Sequence, residues 1–198
     1  MTRLIRTGAL ASLAVGLAGL PGLAQAHTGV HLLSADGAAA GFAHPLLGAD
    51  HLLAMVAVGL WAASLGGRAR FVVPASFVAL MTFGAGLGIA GLALPAVEPM
   101  IALSVIALGG LIALAVRVPT AAAAAVVALF GLFHGAAHGA EMPALASPLA
   151  YGLGFVAATA LLHGAGLALG ATLTHAPTFK LAGGAAIAAA GVALALPL

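Results

Sequence analysis

Long apolar runs, separated by short polar or Pro/Gly-rich stretches, dominate this chain almost from end to end. A bilayer crossing needs about 20 mostly apolar residues. Cutting the chain at its polar and Pro/Gly breaks predicts six such segments, over residues 44–65, 71–92, 99–116, 120–141, 148–173 and 179–196. The joining stretches, 66–70, 93–98, 117–119, 142–147 and 174–178, are short. Ahead of them, Arg3 and Arg6 precede an apolar run over 8–20. Pro21 and Gly22 then break it, and Ala24-Gln25-Ala26 has the small-x-small pattern of a signal-peptidase site. The expectation is therefore all-α: a polytopic membrane helix bundle of six transmembrane helices after a cleaved signal peptide. Residues 1–26 are the signal peptide and 27–198 the membrane domain.

Composition agrees. Hydrophobic residues make up 64% of the 198 positions and charged ones 5%. A soluble domain is roughly 45–50% apolar and about 25% charged, so the remaining surface here must face lipid. Gly 28 and abundant Ala suit close packing of membrane helices. The run Gly84-x-Gly86-x-Gly88-x-x-Gly91 reads as such packing rather than as a phosphate loop, because no strand precedes it. The absence of cysteine excludes disulfides, thiolate metal sites and a Cys nucleophile. A net charge of +2 spread over the chain makes no nucleic-acid footprint.

The few charges orient the spans. A mature chain starting at His27 outside the cytoplasm sends the first span inward. Arg68, Arg70, Arg117 and Lys180 then fall on the cytoplasmic side, as the positive-inside rule requires. Both mature termini are expected in the periplasm of a bacterial inner membrane. The expected partners are the bilayer and a divalent metal ion, with no nucleic acid, and a homo-oligomer is compatible.

Histidine, at eight residues, outnumbers each class of charged residue. Ionisable groups within spans are costly and usually mark a pathway or site. At 100° per residue, His44 and His51 would share one face of the first span, with Pro45 in its first turn and Met55 one turn deeper. Asp50 would stand to the side, able to ligate or to hold an imidazole N–H. In the fourth span, His134, His138 and Glu141 are spaced i, i+4, i+7 and should point one way. Both groups would lie in the outer half and could converge. Imidazole and carboxylate without thiolate suit Ni²⁺, Co²⁺, Zn²⁺, Mn²⁺ or Fe²⁺. Accessory candidates are His27 and His31 at the mature N-terminus, Met55, and His163 in the fifth span, which reads equally well as a packing residue. His175 reads as a solvated loop residue.

At these residues a resemblance emerges. His44-Pro-Leu-Leu-Gly-Ala-Asp-His51, with Met55 and Val58-Gly59-Leu60-Trp61-Ala62 behind it, resembles the signature of the HupE/UreJ family of small membrane proteins. Phe133-His134-Gly-Ala-Ala-His138-Gly-Ala-Glu141 resembles the second signature of that family. The resemblance implies secondary uptake of nickel, with cobalt as the alternative, in support of hydrogenase or urease. It implies His44, Asp50, His51, His134, His138 and Glu141 as the transport residues, with the ion as cargo and no permanent cofactor. A membrane metalloenzyme is the competing class: His134-x-x-x-His138 has the form of one di-iron His box, but no His-Glu-x-x-His or Gly-x-Ser-x-Gly accompanies it. There is no Walker A motif to couple ATP hydrolysis by that route.

Overall fold

The structure, a computed structural model, describes residues 37–173 and 177–196. The expected signal peptide, His27, His31 and His175 lie outside the described residues. Seven helices account for most of the rest: α1 (Gly37–Leu47), α2 (Ala49–Leu65), α3 (Ala69–Ile89), α4 (Val97–Ala113), α5 (Thr120–Ala140), α6 (Pro148–Thr172) and α7 (Pro177–Ala195). The all-α expectation holds among the described residues. Four of the helices, α3, α5, α6 and α7, are long and apolar enough to cross a membrane. At 17 residues α4 is apolar but shorter. The remaining two, α1 and α2, meet the criterion only as a pair.

That pair corrects the expected first span. Instead of one helix over 44–65, the chain bends by 82° at Gly48. Helix α1 begins seven residues before His44, so Pro45 lies near its C-terminal end rather than in a first turn. The break has local causes. Gly48 adopts an extended conformation (φ −88°, ψ 116°) and its carbonyl accepts the N–H of Leu52, which opens α2. The Asp50 carboxylate accepts the N–H of His51 at 2.8 Å, satisfying one of the donors that a helix start leaves open. A negative group there also complements the helix dipole. His44 and His51 therefore do not share a face of one helix.

Other boundaries moved less. Ala69 and Arg70 join the first turn of α3, and Lys180 stands in the first turn of α7. Glu141 is the C-cap residue of α5, not part of its last turn. Gly66 (φ 76°) and Gly67 (φ 51°) make the α2–α3 turn in left-handed conformations that a side chain would strain.

Helices pair through small residues. The broadest contact is α3 on α5. There Gly131, Gly135 and Gly139 face the backbone of Phe77, Met81 and Ala85 in register, so the two helices run parallel and nearly touch. Similarly, Gly59 and Gly166 bring α2 and α6 together, also parallel, while Gly109 and Gly184 join α4 to α7 in antiparallel fashion. The N-terminal part of α6 packs against α1, where Gly41 meets Tyr151 and Gly154 meets Ala38. Ser147 caps α6, with Pro148 at its first position. Trp61, Phe77, Met55 and Met81 are fully buried at the centre. Phe71, Leu114, Leu149, Leu153 and Leu161 stand exposed on the outside, which suits a lipid-facing surface.

Candidate metal centre

Because α5 presents its glycines to α3, the residues one position earlier, His134 and His138, turn toward α1, α2 and α6. Both are buried. The bend at Gly48 swings α1 across this end of the bundle and brings His44 over to the end of α5. His44 Nε2 lies 3.1 Å from Glu141 Oε2, and their side chains are 29% and 27% exposed. His51, at the start of α2, points inward: its Nδ1 is 2.7 Å from Nδ1 of His134. Four imidazoles thus form a continuous file. Ring centroids are 4.7 Å apart from His44 to His138, 3.9 Å from His138 to His51 and 4.8 Å from His51 to His134.

Two donor sets emerge from this file. One is His51, His134 and His138, all buried; the other is His44, His138 and Glu141, half open to the outside. Within each set the candidate ligand atoms lie within 4.8 Å of one another, so one ion could reach all three. His138 belongs to both, with Nδ1 4.0 Å from Glu141. Asp50 belongs to neither. Its carboxylate sits 4.0 Å from His51 Nε2 while holding the backbone N–H of His51. Met55 is buried in the apolar core one turn below His51. His163 is buried on α6 and belongs to neither set.

The chemistry of the inner set can be read from one residue that sequence reasoning missed. Ser104, fully buried on α4, has its hydroxyl 2.6 Å from the carbonyl of Ile101 and 2.9 Å from Nε2 of His134. A carbonyl only accepts, so the hydroxyl proton goes to Ile101, and Ser104 accepts the Nε2–H of His134. Nδ1 of His134 is then left with its lone pair directed at Nδ1 of His51. Two nitrogen atoms 2.7 Å apart share a proton, here the Nδ1–H of His51 donated to His134, and a cation held by the inner set would take that proton's place. The available signal for Ser104 was its being the one hydroxyl in α4, whose only other polar side chain is Glu98 in the first turn. Aromatic rings close the file: the Phe155 ring lies tilted at 4.1 Å from His138, Tyr151 edge-on at 6.0 Å from His44, and Phe77 tilted at 5.6 Å from His134.

These features define a class: a polytopic membrane protein whose polar interior is a cluster of imidazoles and carboxylates, buried at one end and half-buried at the other. The chain belongs to the HupE/UreJ family. The family model described as HupE / UreJ protein matches residues 14–194. Protein HupE of Rhizobium leguminosarum bv. viciae is 50% identical over 179 residues, 88% of this chain and 91% of that protein. No solved structure matches.

Proposed function

We propose that this protein is a secondary permease that takes up a divalent transition-metal ion, nickel first and cobalt as the alternative, across the bacterial inner membrane. It would supply hydrogenase or urease and carry out no chemistry on the ion. The observation that carries this reading is the meeting of His51 and His134 Nδ1 atoms at 2.7 Å, next to a half-exposed His44–Glu141 pair, in a bundle whose outside is apolar.

Charge supports a divalent cargo. With neutral imidazoles and ionised Asp50 and Glu141, the site carries two negative charges, which one divalent cation balances. A buried charge without a partner is costly, so the cation and the carboxylates stabilise one another. Nitrogen and oxygen donors favour borderline metals such as nickel and cobalt over magnesium and calcium. An inside-negative potential favours entry by about 2.3 kcal/mol per charge per 100 mV, and so about twice that for a divalent ion. ATP is then unnecessary.

In this reading α1 and α2 together make the first crossing, and α3 to α7 the other five. The half-exposed His44–Glu141 end faces the periplasm, and the mature chain begins at His27 after removal of 1–26. The deciding experiment is radiolabelled nickel uptake by cells carrying this gene alone, with cobalt, zinc and manganese in competition. Uptake should exceed that of empty cells, and His51→Ala and His134→Ala should each abolish it while membrane levels of the protein persist. Wild-type uptake equal to that of empty cells would overturn the permease reading.

A further inference from the structure

The fifth-span histidine stands outside both donor sets, yet it is one of the most enclosed polar groups in the protein. His163 is 2% exposed, and neither of its ring nitrogens has a hydrogen-bond partner among the described residues. A buried polar group is normally satisfied, and an orphan in a membrane bundle calls for a physical reason.

Its position supplies one. The two helices α2 and α6 run side by side, and the carbonyl of His163 packs against Gly59. Gly59 lies eight residues beyond His51, about 12 Å further along α2. His163 is therefore displaced from the donor cluster toward the opposite end of the bundle, the end bearing Arg68 and Arg117. The same ordering appears on the facing helices. The backbone of Met81 touches α5 at Gly135, beside His134, and that of Phe77 touches it one turn further in, at Gly131. The Phe77 ring touches both histidines, 5.6 Å from His134 and 5.2 Å from His163, edge-on to the latter. On α6 the buried residues Tyr151, Phe155, Thr159 and His163 follow at intervals of four, a stripe that descends from the half-exposed end to this point. Thr159 occupies the layer above, with its hydroxyl on the Met81 sulfur at 3.7 Å.

We propose that His163 is a second, inward ion station on the translocation path, and that the Phe77 ring is the gate between it and the outer cluster. The inference rests on the permease reading above. An ion leaving His134 finds no other imidazole in that direction among the described residues. The Phe77 side chain turns aside, and an unpartnered His163 nitrogen takes the ion as a new ligand. A conducting path needs sites weak enough to leave as well as to enter. A single imidazole past a three-imidazole cluster meets that need: it lowers the cost of the apolar interior without trapping the cargo.

The test uses the full chain, purified and reconstituted in proteoliposomes. Nickel entry is followed by quenching of an enclosed metal-sensitive dye, and nickel binding by equilibrium dialysis of the same preparations. His163→Phe fills the site with a ring of similar size, and His163→Gln is read in its place if the first variant fails to fold. Either variant should keep the dissociation constant within about threefold while lowering the entry rate by about tenfold or more, the split expected of a station beyond the first binding site. Phe77→Ala should raise the entry rate with binding retained. A merely structural His163 would leave entry untouched in any variant that folds. Entry within about twofold of wild type in a folded His163 variant would overturn the proposal and leave the permease reading intact. Wild-type vesicles that neither bind nor admit nickel would instead remove the permease reading, and the inward station with it.

Discussion

At the residue scale, the centre depends on orientation as much as on identity. Imidazole has two nitrogens, and which one faces the ion is set by what holds the other. Ser104 does this for His134, since its own proton is committed to Ile101. Ser104→Ala removes no ligand from either donor set, yet it frees His134 to place its proton on either nitrogen. Loss of such an outer partner typically costs 10–100-fold in metal affinity. Nickel affinity of Ser104→Ala by equilibrium dialysis should therefore fall by about tenfold or more, with Ser104→Thr retaining most of it. An unchanged affinity in Ser104→Ala would show that the His134 tautomer does not depend on this hydroxyl. Asp50 works in a comparable way. Its carboxylate holds the start of α2 through the His51 N–H, so the same group shapes the backbone and adds charge beside the ring.

At the element scale, the α3–α5 contact decides where two of the ligands point. A Cβ on Gly135 would overlap the Met81 carbonyl and the neighbouring backbone, which cannot retreat as a flexible side chain could. Gly135→Val should force α5 away from α3, displacing His134 and His138 together. Overpacking of this kind costs about 1–3 kcal/mol, and thermal unfolding in detergent should register it as a lowered midpoint. Gly86→Ala on α3 is the control, because a Cβ there meets open space; its midpoint should match that of the wild type. A Gly135→Val midpoint equal to wild type would mean that α3 and α5 do not pack this closely. The bent pair α1–α2 is the other deciding element. A straight helix through Gly48 would carry His44 up and away from α5, whereas the 82° bend lays it beside Glu141.

At the scale of the whole molecule, charge distribution and site position make one statement about direction. Arg68 precedes α3 and Arg117 precedes α5, so both stand at the end opposite Glu141. The orientation proposed above, which follows the positive-inside rule, puts that end in the cytoplasm. Single cysteines introduced beside Arg68, Arg117 and Lys180 should therefore escape an impermeant thiol reagent in intact cells, and a cysteine at Ala144, in the loop after Glu141, should react. The cysteine-free parent chain gives no background. Labelling of the three basic-end cysteines from outside would invert the bundle and turn uptake into export.

Much of this was open to a reading of residues alone. Apolar runs and scarce charge determined an all-α membrane protein, because a lipid-facing surface excludes most polar side chains whatever the packing. The i, i+4 spacing determined that His134 and His138 share a face of α5, since the geometry of one helix is local. What lies between helices was not local. The bend at Gly48 depended on an extended glycine and a carboxylate turned back on its own backbone, and a periodicity argument ran straight through it. The pairing of His44 with Glu141 and of His51 with His134 joins residues 97 and 83 positions apart. Those distances followed from how closely glycine faces let helices approach. The tertiary structure alone placed Ser104 behind His134 and Phe77 against both His134 and His163, because a lone hydroxyl and a lone ring have no periodic signature until neighbouring helices surround them.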